Sequence, residues 1–132
     1  VEAGGDLFAS GRKRHGSQWN IGIRSPRSEE LLAGMTVGNR AVATSGDYMQ
    51  FYSADYAYHH ILDPRDGLSP AEVASATVSA DHCMTADGLA TALMVMGVEE
   101  GLRLIESLPG TEAYLVSKNQ NVFSSSGFPI HR

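Results

Sequence analysis

Up to Ala80 the apolar positions of this chain mostly alternate with polar ones, and from Cys83 to Leu108 they recur at helical spacing. Alternation marks strands, because successive side chains on an extended backbone point to opposite faces. VEAGGDLFASG and SQWNIGIRSP are the first two such stretches. In the second, Gln18, Asn20 and Gly22 alternate with Trp19, Ile21 and Ile23, and the basic turn GRKRHG between the two predicts a hairpin. SPRSEELLAG reads as a short connection. NRAVATSGDYMQFYSADYAYHHILDP carries three more strand-like pieces, broken at Ser45-Gly46 and around Ser53 to Asp55, and EVASATVSA is another strand. The period then changes. CMTADGLATALMVMGVEEGLRLIESLPG predicts a helix interrupted at Gly97 and stopped by Pro109-Gly110. TEAYLVSK and NVFSSSGF close the chain as a hairpin around NQN, where asparagine tolerates the left-handed conformation of such turns. Antiparallel strands with a helical pair predict an α+β fold.

Composition narrows the function classes. With 132 residues, 42% of them hydrophobic, the chain buries one core, so residues 1–132 are expected to form a single domain. Ten basic against 15 acidic residues give a net charge of −5, and the only basic cluster, Gly11 to Gly16, reads as a solvated hairpin tip; no nucleic-acid partner is expected. A single cysteine, Cys83, leaves no intrachain disulfide and no thiolate metal cluster, and its apolar surroundings predict a buried thiol. There is no signal-peptide pattern and no apolar run long enough to cross a membrane as a helix. The chain opens on Val1 in a strand-like stretch, so it is expected to continue a longer one. Localisation is not read from these residues.

The chemistry-bearing stretch is YAYHHILDPRDG, Tyr56 to Gly67. Read as a strand, it puts Tyr56, Tyr58 and His60 on one face and Ala57, His59 and Ile61 on the other. Asp63-Pro64 ends it in a turn, since the residue before a proline is pushed out of the helical region. One imidazole and a nearby carboxylate are thus delivered to a sheet rim. An imidazole has an ordinary pKa near ~6.5, which suits it to take a proton at neutral pH, although a histidine at a strand end is often only a satisfied surface group.

Three other stretches carry polar groups in suggestive places. Asp87 and Thr91 stand four apart in the helical segment, on one face of it. They read either as a first-turn acid near the helix dipole and a hydroxyl bonded back to a carbonyl, or as oxygen donors for a hard cation. ATSGDY, Ala43 to Tyr48, breaks a strand: it is either a bulge or a place where free backbone N–H groups meet an anion beside Gly46. AGGD, Ala3 to Asp6, has the same two readings.

In this order, AGGD, ATSGDY, HHILDPRDG and TADGLATALMVMG resemble the C-terminal half of the ApbE family, the FAD:protein FMN transferases, from Ala3 to about Ser117. The resemblance implies an enzyme that takes FAD and Mg²⁺, cleaves the pyrophosphate, and attaches FMN to a threonine or serine hydroxyl of an acceptor protein, releasing AMP. It implies Asp87 and Thr91 as metal ligands and His60, followed by Asp63 and Pro64, as the catalytic histidine; His59 lies outside the pattern. Gly4, Gly5 and Asp6, the strand-break residues Thr44, Ser45, Gly46 and Asp47, and the main chain around Ile61 are implied to bind the flavin nucleotide. Asp66 stands where the family more usually has threonine.

Family members are much longer. Their N-terminal half supplies another metal ligand, a lysine-containing segment and much of the dinucleotide pocket, none of which is matched here. The resemblance therefore implies that a missing N-terminal segment or a second chain completes the site. FAD hydrolysis to FMN and AMP, and a flavin-binding module without catalysis, remain alternatives from the same residues. The family setting is the bacterial periplasm or the membrane surface that faces it.

Overall fold

The computed structural model describes residues 1–131, and among these it has nine strands and two helices. The strands are β1 (Glu2–Ala3), β2 (Asp6–Ala9), β3 (Trp19–Arg24), β4 (Leu31–Val37), β5 (Arg40–Gly46), β6 (Val73–Ala80), β7 (Glu112–Ser117), β8 (Val122–Ser124) and β9 (Ile130–His131). The helices are α1 (Cys83–Met96) and α2 (Val98–Ser107). A six-stranded sheet runs β1-β2-β5-β6-β7-β8 and a three-stranded sheet runs β3-β4-β9. Every pairing is antiparallel, so the α+β expectation holds.

The larger sheet is the middle layer. Along β5, Ala41 and Ala43 belong to a core shared with Ala86, Ala90 and Leu93 of α1, while Val42 between them belongs to a second core with Ile23, Met35 and Val37 of the small sheet. Strand alternation thus places the helices on one face and the small sheet on the other. All of β6 is buried, which is why VASATVSA is a run of small and β-branched residues. The helix-facing core is rich in alanine, at Ala41, Ala43, Ala76, Ala80, Ala86, Ala90 and Ala113, and so α1 packs close to the sheet.

Three expectations are corrected. The basic turn does not join a hairpin: β2 pairs with β1 and β5, and β3 pairs with β4 in the other layer. VEAGGDLFASG is a hairpin by itself, because Gly4 and Gly5 take φ values of 65° and 100° that turn the chain between β1 and β2. The supposed connection SPRSEELLAG runs into β4, whose Ala33, Met35 and Val37 bury alternately. Finally, of the strand-like pieces between Asn39 and Pro64 only β5 is a strand. Tyr56 to His60 lies in a long loop, with one isolated bridge, Phe51 to His59. Local side chains outcompete the ladder there: Ser53 Oγ accepts from the Tyr58 N–H, Asp55 Oδ1 accepts from the Ala57 N–H, and Tyr56 is left-handed at φ 59°.

The helix and closing-hairpin expectations hold, with Gly97 at φ 82° separating α1 from α2. The left-handed residue in the NQN turn is Gln120, at φ 66°. At the break, Glu72 Oε2 accepts from the Val98 N–H at 3.1 Å, satisfying a free donor at the start of α2 from outside the helix. Glu72→Ala should lower the unfolding free energy by about 1 kcal/mol, read as a lower urea midpoint with an unchanged slope. An unchanged midpoint would show that this contact caps nothing.

Candidate functional site

Of the sequence-predicted residues, Gly4, Gly5, Asp6, Thr44, Ser45, Asp87 and Thr91 gather at one end of the middle sheet, and that sheet divides them. Thr44 and Ser45 are neighbours on β5 and therefore face opposite ways. Ser45 Oγ lies 2.9 Å from Thr91 Oγ1 on α1, whereas Thr44 Oγ1 lies 2.8 Å from Thr77 Oγ1 and borders the space between the sheets. Gly4, Gly5, Thr44, Thr77 and Tyr48 help line a cavity of about 190 Å³ there. Gly46 is buried because Tyr48 lies across it; a β-carbon would drive into that ring.

On the helix face the groups are oxygen donors. Asp87 and Thr91 are exposed, one helical turn apart, and Asp87 is in the second turn of α1, since the helix begins at Cys83 and has no acid in its first turn. The helix-dipole account of Asp87 loses its basis, because that effect fades beyond the first turn. Asp6 at the start of β2 has its carboxyl pKa raised by partial burial and then by the negative charges of Asp87 and Glu2. Among the described residues neither Asp6 nor Asp87 has an ion-pair partner, and no three acid, histidine or cysteine side chains cluster tightly enough to hold a metal. One carboxylate, a hydroxyl pair and a second acid nearby suit a hard cation that keeps waters or phosphate oxygens for its other positions.

His59 and His60 have opposite fates. His60 is exposed; the Gln50 carbonyl accepts its backbone N–H at 3.1 Å and lies 3.2 Å from its Nδ1. A carbonyl only accepts, so this contact puts the ring proton on Nδ1 and leaves the Nε2 lone pair free. His59 is fully buried, with Nε2 3.4 Å from the Pro70 carbonyl and Nδ1 without a partner among the described residues. Ile61 buries its side chain in the helix-facing core to which Ala86 and Ala90 also belong, and its own N–H and C=O find no partner among the described residues. Asp63 is buried and clasped by Arg65, whose guanidinium hydrogen bonds hold its carboxyl below the usual range.

Asp47 is not open to a ligand from its side chain. It is fully buried, its oxygens take Arg27 Nη1 at 2.6 Å and Nη2 at 2.7 Å, and Lys118 Nζ lies 3.8 Å away. Arg27 also stacks 4.2 Å above the Tyr56 ring, and Lys118 donates to the Tyr56 carbonyl at 2.8 Å. Sequence reasoning passed over Arg27, Lys118, Tyr48 and the Gln50 carbonyl. Arg27 sits in what reads as a connection and Lys118 at the end of the strand-like TEAYLVSK, and nothing local reveals that both converge on Asp47.

The comparisons with known proteins agree with this architecture. The profile of the ApbE family matches residues 1–115. A protein of Vibrio cholerae serotype O1 is 42% identical over 111 residues, covering 81% of this chain and 33% of its own length, and one of Treponema pallidum is 35% identical over 140 residues, covering 96% and 38%. The crystal structure of the ApbE protein of Thermotoga maritima superposes with a TM-score of 0.84 at 35% identity, over 95% of this chain and 41% of that one. This chain belongs to the ApbE family. The two relatives are named FAD:protein FMN transferase, and the chain spans between a third and two-fifths of their length.

Burial lowers the His59 pKa, the Pro70 carbonyl opposing this and Lys118 adding to it. The unfolded chain takes up this proton near the ordinary value of about 6.5 and the folded chain only below it, so the unfolded state holds more protons in between. The contribution of His59 to stability is therefore complete above about pH 6.5 and is lost as pH falls through the lower folded value. The urea midpoint of the wild type should drop more between pH about 7.5 and 5.5 than that of His59→Leu. Equal drops would mean that His59 does not titrate against the fold.

Proposed function

We propose that this chain forms the C-terminal part of an Mg²⁺-dependent FAD:protein FMN transferase, which moves FMN from FAD to a threonine or serine hydroxyl of an acceptor protein and releases AMP. The meeting of Thr91 with Ser45 beside the exposed Asp87, which has no ion-pair partner among the described residues, carries this reading, because it brings oxygen donors from two family motifs together. Asp87 and Thr91 would hold the cation, with Asp6 adding negative charge nearby. A bound Mg²⁺ would supply charge neutralisation on the pyrophosphate oxygens.

The protein groups do the rest. Main-chain groups around Gly4, Gly5 and Ile61, and the hydroxyls of Thr44 and Ser45, are the candidates for fixing the dinucleotide. Asp47 serves from behind, as a buried anchor for the loop that carries His60. His60 Nε2 takes the proton of the acceptor hydroxyl as that oxygen bonds to the FMN phosphorus. The P–O bond to the AMP phosphate breaks in the same displacement, and AMP leaves with the electron pair. A threonine or serine phosphoester to FMN results. Completion of the site by a longer chain or a second chain, and action at the periplasmic side of a bacterial membrane, belong to the same reading.

Asp87→Ala should abolish Mg²⁺ binding in calorimetry and Mg²⁺-dependent AMP release, and keep the fold, since the position is exposed. His60→Asn should slow transfer by about 10²–10⁴-fold with FAD affinity kept, whereas His59→Gln should stay within a few-fold. Unchanged Mg²⁺ and FAD binding in Asp87→Ala would overturn the metal assignment. AMP release that needs no acceptor would favour FAD hydrolysis instead.

A further inference from the structure

One guanidinium holds both sides of the residue that orients His60. Arg27 reaches from the connection between β3 and β4, in the small-sheet layer, to the end of the middle sheet. There it pairs with both oxygens of Asp47 at 2.6 and 2.7 Å, and Asp47 is in turn fixed by its N–H to the Ala74 carbonyl at 2.9 Å. The other face of its interactions is the Tyr56 ring, 4.2 Å below. Tyr56 meets Phe51 edge-on at 4.8 Å between centroids, and Phe51 bridges to His59. Gln50 therefore lies between two points that Arg27 pins: Asp47 directly and Phe51 through Tyr56.

We propose that Arg27 is a positioning residue for His60, setting which ring nitrogen carries the proton through the placement of the Gln50 carbonyl. It rests on His60 as the proton acceptor of the proposed reaction. Neutral imidazole in water prefers its proton on Nε2, which would leave no free lone pair at the exposed position. The Gln50 carbonyl at 3.2 Å from Nδ1 reverses that preference, and a hydrogen bond of this length is lost when its acceptor moves by about an ångström. Holding Gln50 takes two simultaneous contacts of fixed relative geometry. A planar guanidinium provides them, pairing bidentately at its edge while stacking on an aromatic face; a lysine ammonium is a single point charge and cannot do both.

The test is the ring ¹⁵N spectrum of His60, assigned by its loss in His60→Gln, at pH about 8.5 where an ordinary imidazole is neutral. The wild-type chain should show the Nδ1–H form. Arg27→Lys keeps the charge opposite Asp47 and should move His60 toward the Nε2–H form while the amide spectrum elsewhere is retained. In an assay of AMP release the same variant should lose about ten- to a hundredfold in kcat with little change in the KM for FAD. Should Arg27→Lys not fold, Tyr56→Leu leaves the ion pair intact and should produce a smaller shift of the same sign. His60 signals unchanged in whichever variant folds overturn the proposal. The spectrum needs no turnover, so a His60→Gln variant that keeps full transfer activity tells against the transferase reading without touching the Arg27 result, and unchanged ring signals overturn the Arg27 proposal without touching that reading.

Discussion

A carboxylate with no access to water organises this end of the molecule. Burying Asp47 costs several kcal/mol unless its charge is met, and removing a partner from such a pair costs about 3–5 kcal/mol. The partners come from different places: Arg27 from the connection within the small sheet, and Lys118 from the residue after β7. Both cations also touch Tyr56, one through its ring and one through its carbonyl. The long loop after β5 is thereby fastened at its root and at its tip to two layers of the fold. His60 and Ile61 inherit their placement from that fastening.

Legibility in the sequence followed the range of the interactions. The α1–α2 segment, β6 and the β7–β8 hairpin are local in origin, set by period, by Gly97 and by the turn around Gln120, and all were readable. The partners of β2 and β3 were not, because alternation says that a strand has an inner face and nothing about which layer supplies it. Ile21 and Ile23 look the same whether β4 or β2 lies beside them. The loop misled for a related reason: Tyr, Ala and His alternate convincingly from Tyr56 to His60, yet Ser53 and Asp55 offer the backbone nearer partners than a neighbouring strand.

At the candidate site, the motif residues were legible and their division was not. TSGD reads as one unit in sequence, but a strand sends Thr44 toward the small sheet and Ser45 toward α1, and the chain then buries Asp47 altogether. Three positions of one four-residue motif thus do three different things. Asp87 and Thr91 kept their predicted relation because helical spacing is a local property, and they acquired Ser45 as a neighbour from a strand far away in the chain.

Long surface loops ordinarily drift in length between relatives, since an inserted residue costs little entropy and disturbs little packing. The stretch from Phe51 to His60 is different at its two ends. Phe51 is bridged to His59 and Gln50 holds His60, so the rising and falling arms are counted against each other. One residue added within either arm would break this count, so that the Phe51 bridge to His59 and the Gln50 hydrogen bond to His60 could not both be kept. Drift in length is therefore held in check along both arms, as it is at the tip by the grip of Arg27 and Lys118 on Tyr56, and the spacing behaves as part of the site's grammar rather than as spare chain.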